Sequence, residues 1–246
     1  MAGPLEQFEV SKKIALEVAG YDVSFTNSSL WMVIVVATVF GMLTLFTKKR
    51  SLVPSRLQSI AEVLYEFIAD MVIDLAGPES KRYFPYIFTV FTFVLFGNLL
   101  GMLPYSFTIT SHLTVTFTLA LMGFLIITVI GFVHHGTKYL GLFMPGGAPL
   151  FLAPILIPIE MFAYFVRPFT LAIRLFANML AGHIVLKIFA GFSVALATGF
   201  GVYAGFPVVI VNIAMIGFEL IVAALQAYIF TLLMCTYLND AVHMHH

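Results

Sequence analysis

Long apolar runs separated by short polar junctions occupy most of this chain, and they predict helices that cross a membrane. Residues 28–47 form a run of about 20 residues without a charge, and a helix of that length covers the roughly 30 Å of hydrocarbon in a bilayer. Similar runs follow at 83–103, closed by Pro104, and at 114–133. We therefore predict three upright spans in the first part of the chain.

Residues 56–76 have a helical period of apolar side chains on one face and acidic side chains on another. Apolar side chains recur at helical spacing, whereas acidic side chains lie four apart at Glu62, Glu66, Asp70 and Asp74. This pattern predicts an amphipathic helix on the membrane surface, ended by Gly77 and Pro78. The acidic row suits a solvated face better than a docking face for a basic partner.

Two very long apolar segments, 150–198 and 206–238, follow the Pro-Gly-Gly-Ala-Pro break at 145–149. At 1.5 Å per residue, a helix of about 40 residues would reach roughly 60 Å, about twice the hydrocarbon thickness. The two segments must therefore tilt, kink or break. We predict a steeply tilted helix hairpin over residues 150–240.

Proline and glycine residues indicate where the helices of this hairpin bend, begin and end. Pro154, Pro158 and Pro168 are candidates for kinks in the first helix. Residues 199–205 are glycine-rich and predict a flexible linker, and Pro207 predicts the start of the second helix. The fold expected is an all-α integral membrane protein with about five crossings.

Composition supports this class, since 61% of the residues are hydrophobic and only 10% are charged. A soluble domain carries about 25% charged residues, so a soluble enzyme or a nucleic-acid-binding protein is excluded. The net charge is zero, with 17 charged residues in 1–82 and seven in 83–246. The second stretch cannot form a solvated surface.

Basic residues mark the cytoplasmic ends of spans. They follow the first span at 48–50, precede the second at 81–82, and follow the third at Lys138, whereas the loop 104–113 has none. We therefore expect the N-terminal segment 1–27 outside and the C-terminus in the cytoplasm. His134 and His135 form an interfacial pair more readily than a metal site, because other ligand types are missing nearby.

Polar residues inside the membrane are functional candidates, because placing them there is costly. Glu160, Arg167 and Arg174 are seven residues apart, so successive members differ by about 20° around one helical face. Asn178 continues this stripe, whereas His183 lies on roughly the opposite side. Lys187, one turn beyond His183, suits an interfacial lysine at the outer edge.

The second long segment carries its own polar face, with Asn212, Glu219 and Gln226 seven apart. Glu219 and His183 are both residue types that exchange protons.

Arg174 is the most informative of these residues, because its guanidinium keeps its charge under all ordinary conditions. Two partners are open: a static one within the chain, Glu219 or Glu160, or a transient carboxylate on another subunit. Arg167 is the nearer expected partner of Glu160.

The run Arg174-Leu-Phe-Ala-Asn-Met-Leu-Ala-Gly-His183, together with Glu219-Leu-Ile-Val-Ala-Ala-Leu-Gln226, resembles the subunit a family of F-type ATP synthases, of the mitochondrial-like bacterial type. The resemblance covers essentially the whole chain. It implies a stator subunit of the membrane sector that conducts protons through two offset half-channels to and from carboxylates on a rotating ring of c subunits.

The resemblance also assigns roles. Arg174 matches the essential arginine, and Glu219 and His183 match the outer half-channel pair, with Asn178 and Gln226 beside the path. Glu160 matches an acid of the cytoplasmic half-channel, and Arg167 and Asn212 are weaker candidates. In many bacterial relatives the acid and the imidazole occupy the exchanged positions, so which of the two titrates stays open.

The same resemblance implies partners and a location. The expected partners are the c-ring, b-type peripheral stalk subunits and the lipid of the bacterial inner membrane. No cofactor, metal, nucleic acid or bound nucleotide is expected, and the chain alone is not expected to be catalytic; it has no G-x-x-x-x-G-K-[ST] loop. The alternatives are a proton-coupled secondary transporter and a structural membrane anchor.

Overall fold

A computed structural model describes residues 9–15, 17–18, 21–22, 24–48, 54–103, 106–144 and 150–243. Several predicted features lie outside these residues, namely Lys49 and Arg50, Pro104, the break at 145–149 and the last three residues. The described part is helical apart from its N-terminal end.

Five of the helices are long and apolar enough to cross a membrane within the described part of the chain. They are α1 (Asn27–Phe46), α3 (Phe84–Gly101), α4 (Leu113–His135), α5 (Ala153–Phe200) and α6 (Val202–Val242). The predicted all-α membrane fold is therefore confirmed, and α1, α3 and α4 agree with the predicted bounds to within two residues at every end.

The amphipathic helix α2 spans Arg56–Ala76, with the same bounds as predicted. The Ser55 side chain accepts a hydrogen bond from the Gln58 N–H at its start, which satisfies one of the first free donors. At its end Gly77 has φ +80°, a conformation that favours glycine, and its N–H donates to the Ile73 carbonyl. All four acids of the predicted row are exposed.

Short strands precede α1, which the sequence did not predict. Strand β1 (Lys12–Ile14) pairs antiparallel with β4 (Phe25–Thr26), and β2 (Glu17–Val18) pairs with β3 (Tyr21–Asp22). Asn27 ties this end to the helix, since its side chain accepts from the Ser28 N–H and donates to the Glu9 carbonyl.

The hairpin differs from its prediction at the turn. Helix α5 continues to Phe200 and α6 begins at Val202, so Gly201, with φ +95°, is the single residue between them. The prediction of a flexible 199–205 linker was wrong, and Pro207 lies inside α6 instead of starting it. Lipid cannot hydrogen-bond a bare backbone, so a helix continues through glycines that would end it in water.

Helix α5 continues through its prolines, whose predicted kinks stay a prediction. Pro158 and Pro168 lie inside a helix of 48 residues, and Pro154 falls in its first turn. A proline near a helix start loses no hydrogen bond, because the first four N–H groups have no intrahelical partner.

The contacts within the chain divide it into two units. The first unit falls within Met1–Phe40, Phe93–Leu113 and Leu175–Ala227, and its core packs Val35, Phe107 and Ile109 against partly buried residues including Trp31 and Phe96.

The second unit falls within Gly41–Thr92, Thr114–Arg174 and Tyr228–His246. Its core includes Ala76, Leu238 and Val242, with Tyr83 and Ile130 packed against them.

Candidate functional site

The first unit contains a buried polar cluster centred on His183 of α5 and Glu219 of α6. Nδ1 of His183 lies 3.8 Å from Oε1 of Glu219, and the two residues are 9% and 4% exposed. The sequence predicted both as a proton-exchanging pair on facing helices. The structure brings them together.

A loop residue completes the surroundings of His183. Nε2 of His183 lies 2.9 Å from the Thr108 hydroxyl, which itself donates to the Gly101 carbonyl. A hydroxyl has one hydrogen, so Nε2 of His183 is the donor in this pair. Nδ1, on the Glu219 side, is then the acceptor nitrogen of the neutral imidazole.

Glu219 occupies an unusual position for a carboxyl group. Both of its oxygens are buried without a hydrogen-bond partner among the described residues. Other buried oxygens of this unit share that property: Asn98 Oδ1, Thr110 Oγ1 and Asn212 Oδ1. Buried polar atoms are normally satisfied, so this array suits a hydrated path better than a dry core.

Asn98 and Gly182 bring helix backbone close to this cluster. The Asn98 amide donates to the Ala223 carbonyl of α6, 3.0 Å away, and Asn98 is fully buried. Gly182 contacts Glu219 so closely that a Cβ there would lie 2.7 Å from Oε1. Gln226, seven residues after Glu219, is also buried, as the shared face predicts.

Sequence reasoning missed Thr108 and the role of Gly182. Thr108 lies in a loop whose only signal was its lack of charge. Gly182 stands in the motif beside His183, but its contact depends on how α5 and α6 pair, which no local pattern reports.

The second unit contains a different polar cluster, where α5 and α6 meet. Nη1 of Arg167 lies 2.9 Å from Oδ2 of Asp240. The expected pairing of Arg167 with Glu160 was wrong, because Asp240 is the carboxylate within reach. Glu160 has no ion-pair partner among the described residues.

Aromatic side chains surround this ion pair. Cζ of Arg167 lies 4.8 Å from the ring centroid of Tyr237 and 5.4 Å from that of Tyr164, which are favourable cation–π distances. The Tyr164 hydroxyl in turn lies 2.7 Å from the Thr128 hydroxyl and 3.1 Å from that of Tyr139.

Arg174 is placed very differently from Arg167. It is exposed on α5, as is Asn178 one turn later, while Leu171 and Leu175 are buried. Within the described residues, no carboxylate forms an ion pair with Arg174. The static internal pair is therefore not the arrangement of this structure.

The histidine pair His134–His135 serves a structural purpose at one end of the second unit. Nε2 of His134 lies 3.0 Å from the Tyr83 hydroxyl and also contacts Arg82, and Nε2 of His135 lies 3.0 Å from the Val242 carbonyl. The described residues contain no cluster of three metal-ligating side chains. These contacts join the start of α3 and the ends of α4 and α6, which were all predicted to be cytoplasmic.

Comparison with known proteins gives the family. The sequence profile of the family described as ATP synthase A chain matches residues 29–239. This chain belongs to that family. ATP synthase subunit a of Rhodospirillum rubrum is 52% identical over 245 residues, covering all of both chains. ATP synthase subunit a of Paramagnetospirillum magneticum is 52% identical over 248 residues, again covering all of both.

Family membership makes the chain an integral membrane subunit of an ATP synthase, with a part in proton transport and ATP synthesis. The predicted family is thereby confirmed, and the secondary transporter is not favoured. The family match reaches from the first apolar helix almost to the end of the last one, so it includes the His183–Glu219 cluster, Arg167 and Arg174, and it stops one residue before Asp240.

Proposed function

We propose that this chain is the stator subunit that conducts protons through two offset half-channels to and from the carboxylates of a c-ring. The observation that carries this proposal is the exposed guanidinium of Arg174 on a membrane helix, with no ion-pair partner among the residues that the structure describes. A permanent cation in hydrocarbon requires an anion from elsewhere, and a ring carboxylate supplies one.

The first unit provides the residues of an outer half-channel. Glu219 and His183 exchange the proton, with Asn98, Asn212 and Gln226 as polar groups of the same unit and Thr108 orienting the imidazole. Thr108 belongs to the loop predicted to lie outside, which supports entry from that side.

The second unit provides the residues of a cytoplasmic half-channel. Glu160 is the acid of this path. Asn178 continues the Arg174 stripe but falls in the first unit, beside the outer half-channel path. The Arg167–Asp240 pair lies near the C-terminal end of α6, which was predicted to be cytoplasmic. Arg174 stabilises an ionised ring carboxylate and blocks a direct proton leak.

In this proposal the chain is not catalytic alone. It contacts the c-ring and b-type stalk subunits in the bacterial inner membrane, with the N-terminus outside and the C-terminus in the cytoplasm. A potential of 100 mV contributes about 2.3 kcal/mol per proton, so several protons are needed for each ATP.

The experiment replaces Arg174 by alanine in the complete complex reconstituted into liposomes. ATP synthesis under an imposed proton gradient should fall to background, because no cation then draws off the ring proton. Lys138→Ala is the matched control, since Lys138 is an exposed cation in the same unit, and it should retain full synthesis. Coupled synthesis by Arg174→Ala at normal assembly would refute the proposal.

A further inference from the structure

Two arginines on α5 have opposite electrostatic situations within one unit. Arg167 and Arg174 are seven residues apart, about 10 Å along the helix axis. Arg167 is paired at 2.9 Å with Asp240, whereas Arg174 has no ion-pair partner among the described residues. The structure thus neutralises one cation and leaves its neighbour available.

The neutralised arginine is also held in place. Both members of the pair are largely covered, with side chains 28% and 29% exposed. The Tyr237 and Tyr164 rings lie against the Arg167 guanidinium. Tyr164 is itself buried and hydrogen-bonded through its hydroxyl to Thr128, so the Arg167 guanidinium is held between these rings and Asp240.

We propose that Asp240 is a positioning residue that neutralises Arg167 and so leaves Arg174 as the cation offered to the ring carboxylate. This inference rests on the proposed function of Arg174. Without Asp240, Arg167 becomes a second uncompensated cation close to the first. It then competes for the carboxylate and raises the free energy of a proton in the adjoining path.

The decisive comparison is a set of variants in the complete reconstituted complex, measured as ATP synthesis per assembled complex. Asp240→Asn should lower synthesis roughly tenfold, because removing one member of a covered pair leaves an uncompensated charge. Arg167→Gln with Asp240→Asn removes both charges and should restore synthesis to within about twofold of the unchanged complex. Asp240→Glu keeps the negative charge and should retain most of the ATP synthesis of the unchanged complex.

A matched control removes an acid that has no such partner. Glu79 is exposed in the same unit and forms no ion pair among the described residues, so Glu79→Gln should leave synthesis unchanged. Synthesis is expressed per assembled complex, so a loss of stability alone would lower the yield of complex and leave this rate unchanged.

The outcomes separate the two proposals. Normal synthesis in Asp240→Asn, or a double variant no better than Asp240→Asn, overturns the role of Asp240. If Asp240→Asn does not assemble, the double variant decides: assembly with synthesis supports the role, and failure of both overturns it. The proposed function instead depends on Arg174→Ala, whose loss of synthesis is independent of these results.

Discussion

At the residue scale, the missing side chain of Gly182 determines where the Glu219 carboxyl group can lie. A Cβ at this position would be 2.7 Å from Oε1 and 3.0 Å from Cδ of Glu219. Glu219 is buried, so its carboxyl group has little room to withdraw. The glycine beside His183 in the family motif thus has a packing reason.

Gly182→Ala should therefore displace the Glu219 carboxyl group and slow proton transfer to His183. We expect ATP synthesis to fall severalfold with normal assembly, since overpacking by one methyl costs about 1–3 kcal/mol. Gly191→Ala is the control on the same helix, because nothing lies within 4 Å of its added Cβ. Equal rates for the two variants would remove the proposed role of Gly182.

The sequence predicted the identities of the polar residues better than their partners. Seven-residue spacing placed Glu219 and Gln226 on one face, and both are buried as that face requires. Asp240 and Thr108 escaped notice because their partners, Arg167 and His183, are 73 and 75 residues away in sequence. Spacing within one helix cannot indicate which helix packs against it.

At the scale of the element, glycines let α5 and α6 approach closely beside their turn. A Cβ on Gly205 would lie 2.6 Å from the Ser193 carbonyl oxygen and 3.1 Å from Cβ of Ala197. Small residues permit this kind of approach between helices in lipid. Gly205 was predicted to lie in a flexible linker, but it is buried within α6.

Gly205→Ala should destabilise the hairpin by about 1–3 kcal/mol, because the atom it meets belongs to the backbone and cannot rotate away. Gly217→Ala, in the same helix with open space around the added Cβ, should be neutral or slightly stabilising. The two variants are compared by heating the purified complex and measuring the temperature at which half of this subunit is released. Matching midpoints for both variants would contradict the close approach.

Helix bounds were predictable where one physical signal dominated. The amphipathic period and Gly77 predicted the bounds of α2, and the Ser55 cap seen in the structure agrees with its start. Glycine and proline did not predict the position of the turn at Gly201, because they end helices in water, whereas lipid favours a continuous helix. The strands before α1 were not predicted, because their residues show no strong alternation of apolar and polar side chains.

At the scale of the whole molecule, the basic residues predict which helix ends lie on the same side of the membrane. Arg82 and Tyr83 contact His134, and His135 contacts the end of α6. All of these ends were predicted to be cytoplasmic, so the contacts within the second unit agree with that assignment.

Cysteine labelling tests the orientation. Cys235 is buried, so replacing it by alanine gives a background for single cysteines at the exposed positions Val10 and Glu79. A membrane-impermeant maleimide should label Val10→Cys in right-side-out vesicles and Glu79→Cys only in inverted ones. The reverse pattern would invert the proposed topology and exchange the two half-channels.

The one-residue turn at Gly201 leaves little room for a change in length between His183 and Glu219 of this chain. Each added residue rotates a helix by about 100° and advances it by 1.5 Å. An insertion or deletion between His183 and Glu219 would therefore carry the carboxyl group away from the imidazole unless a bulge absorbed it. The 35 intervening residues therefore set the register of the imidazole against the carboxyl group, and a change in their number should cost proton exchange.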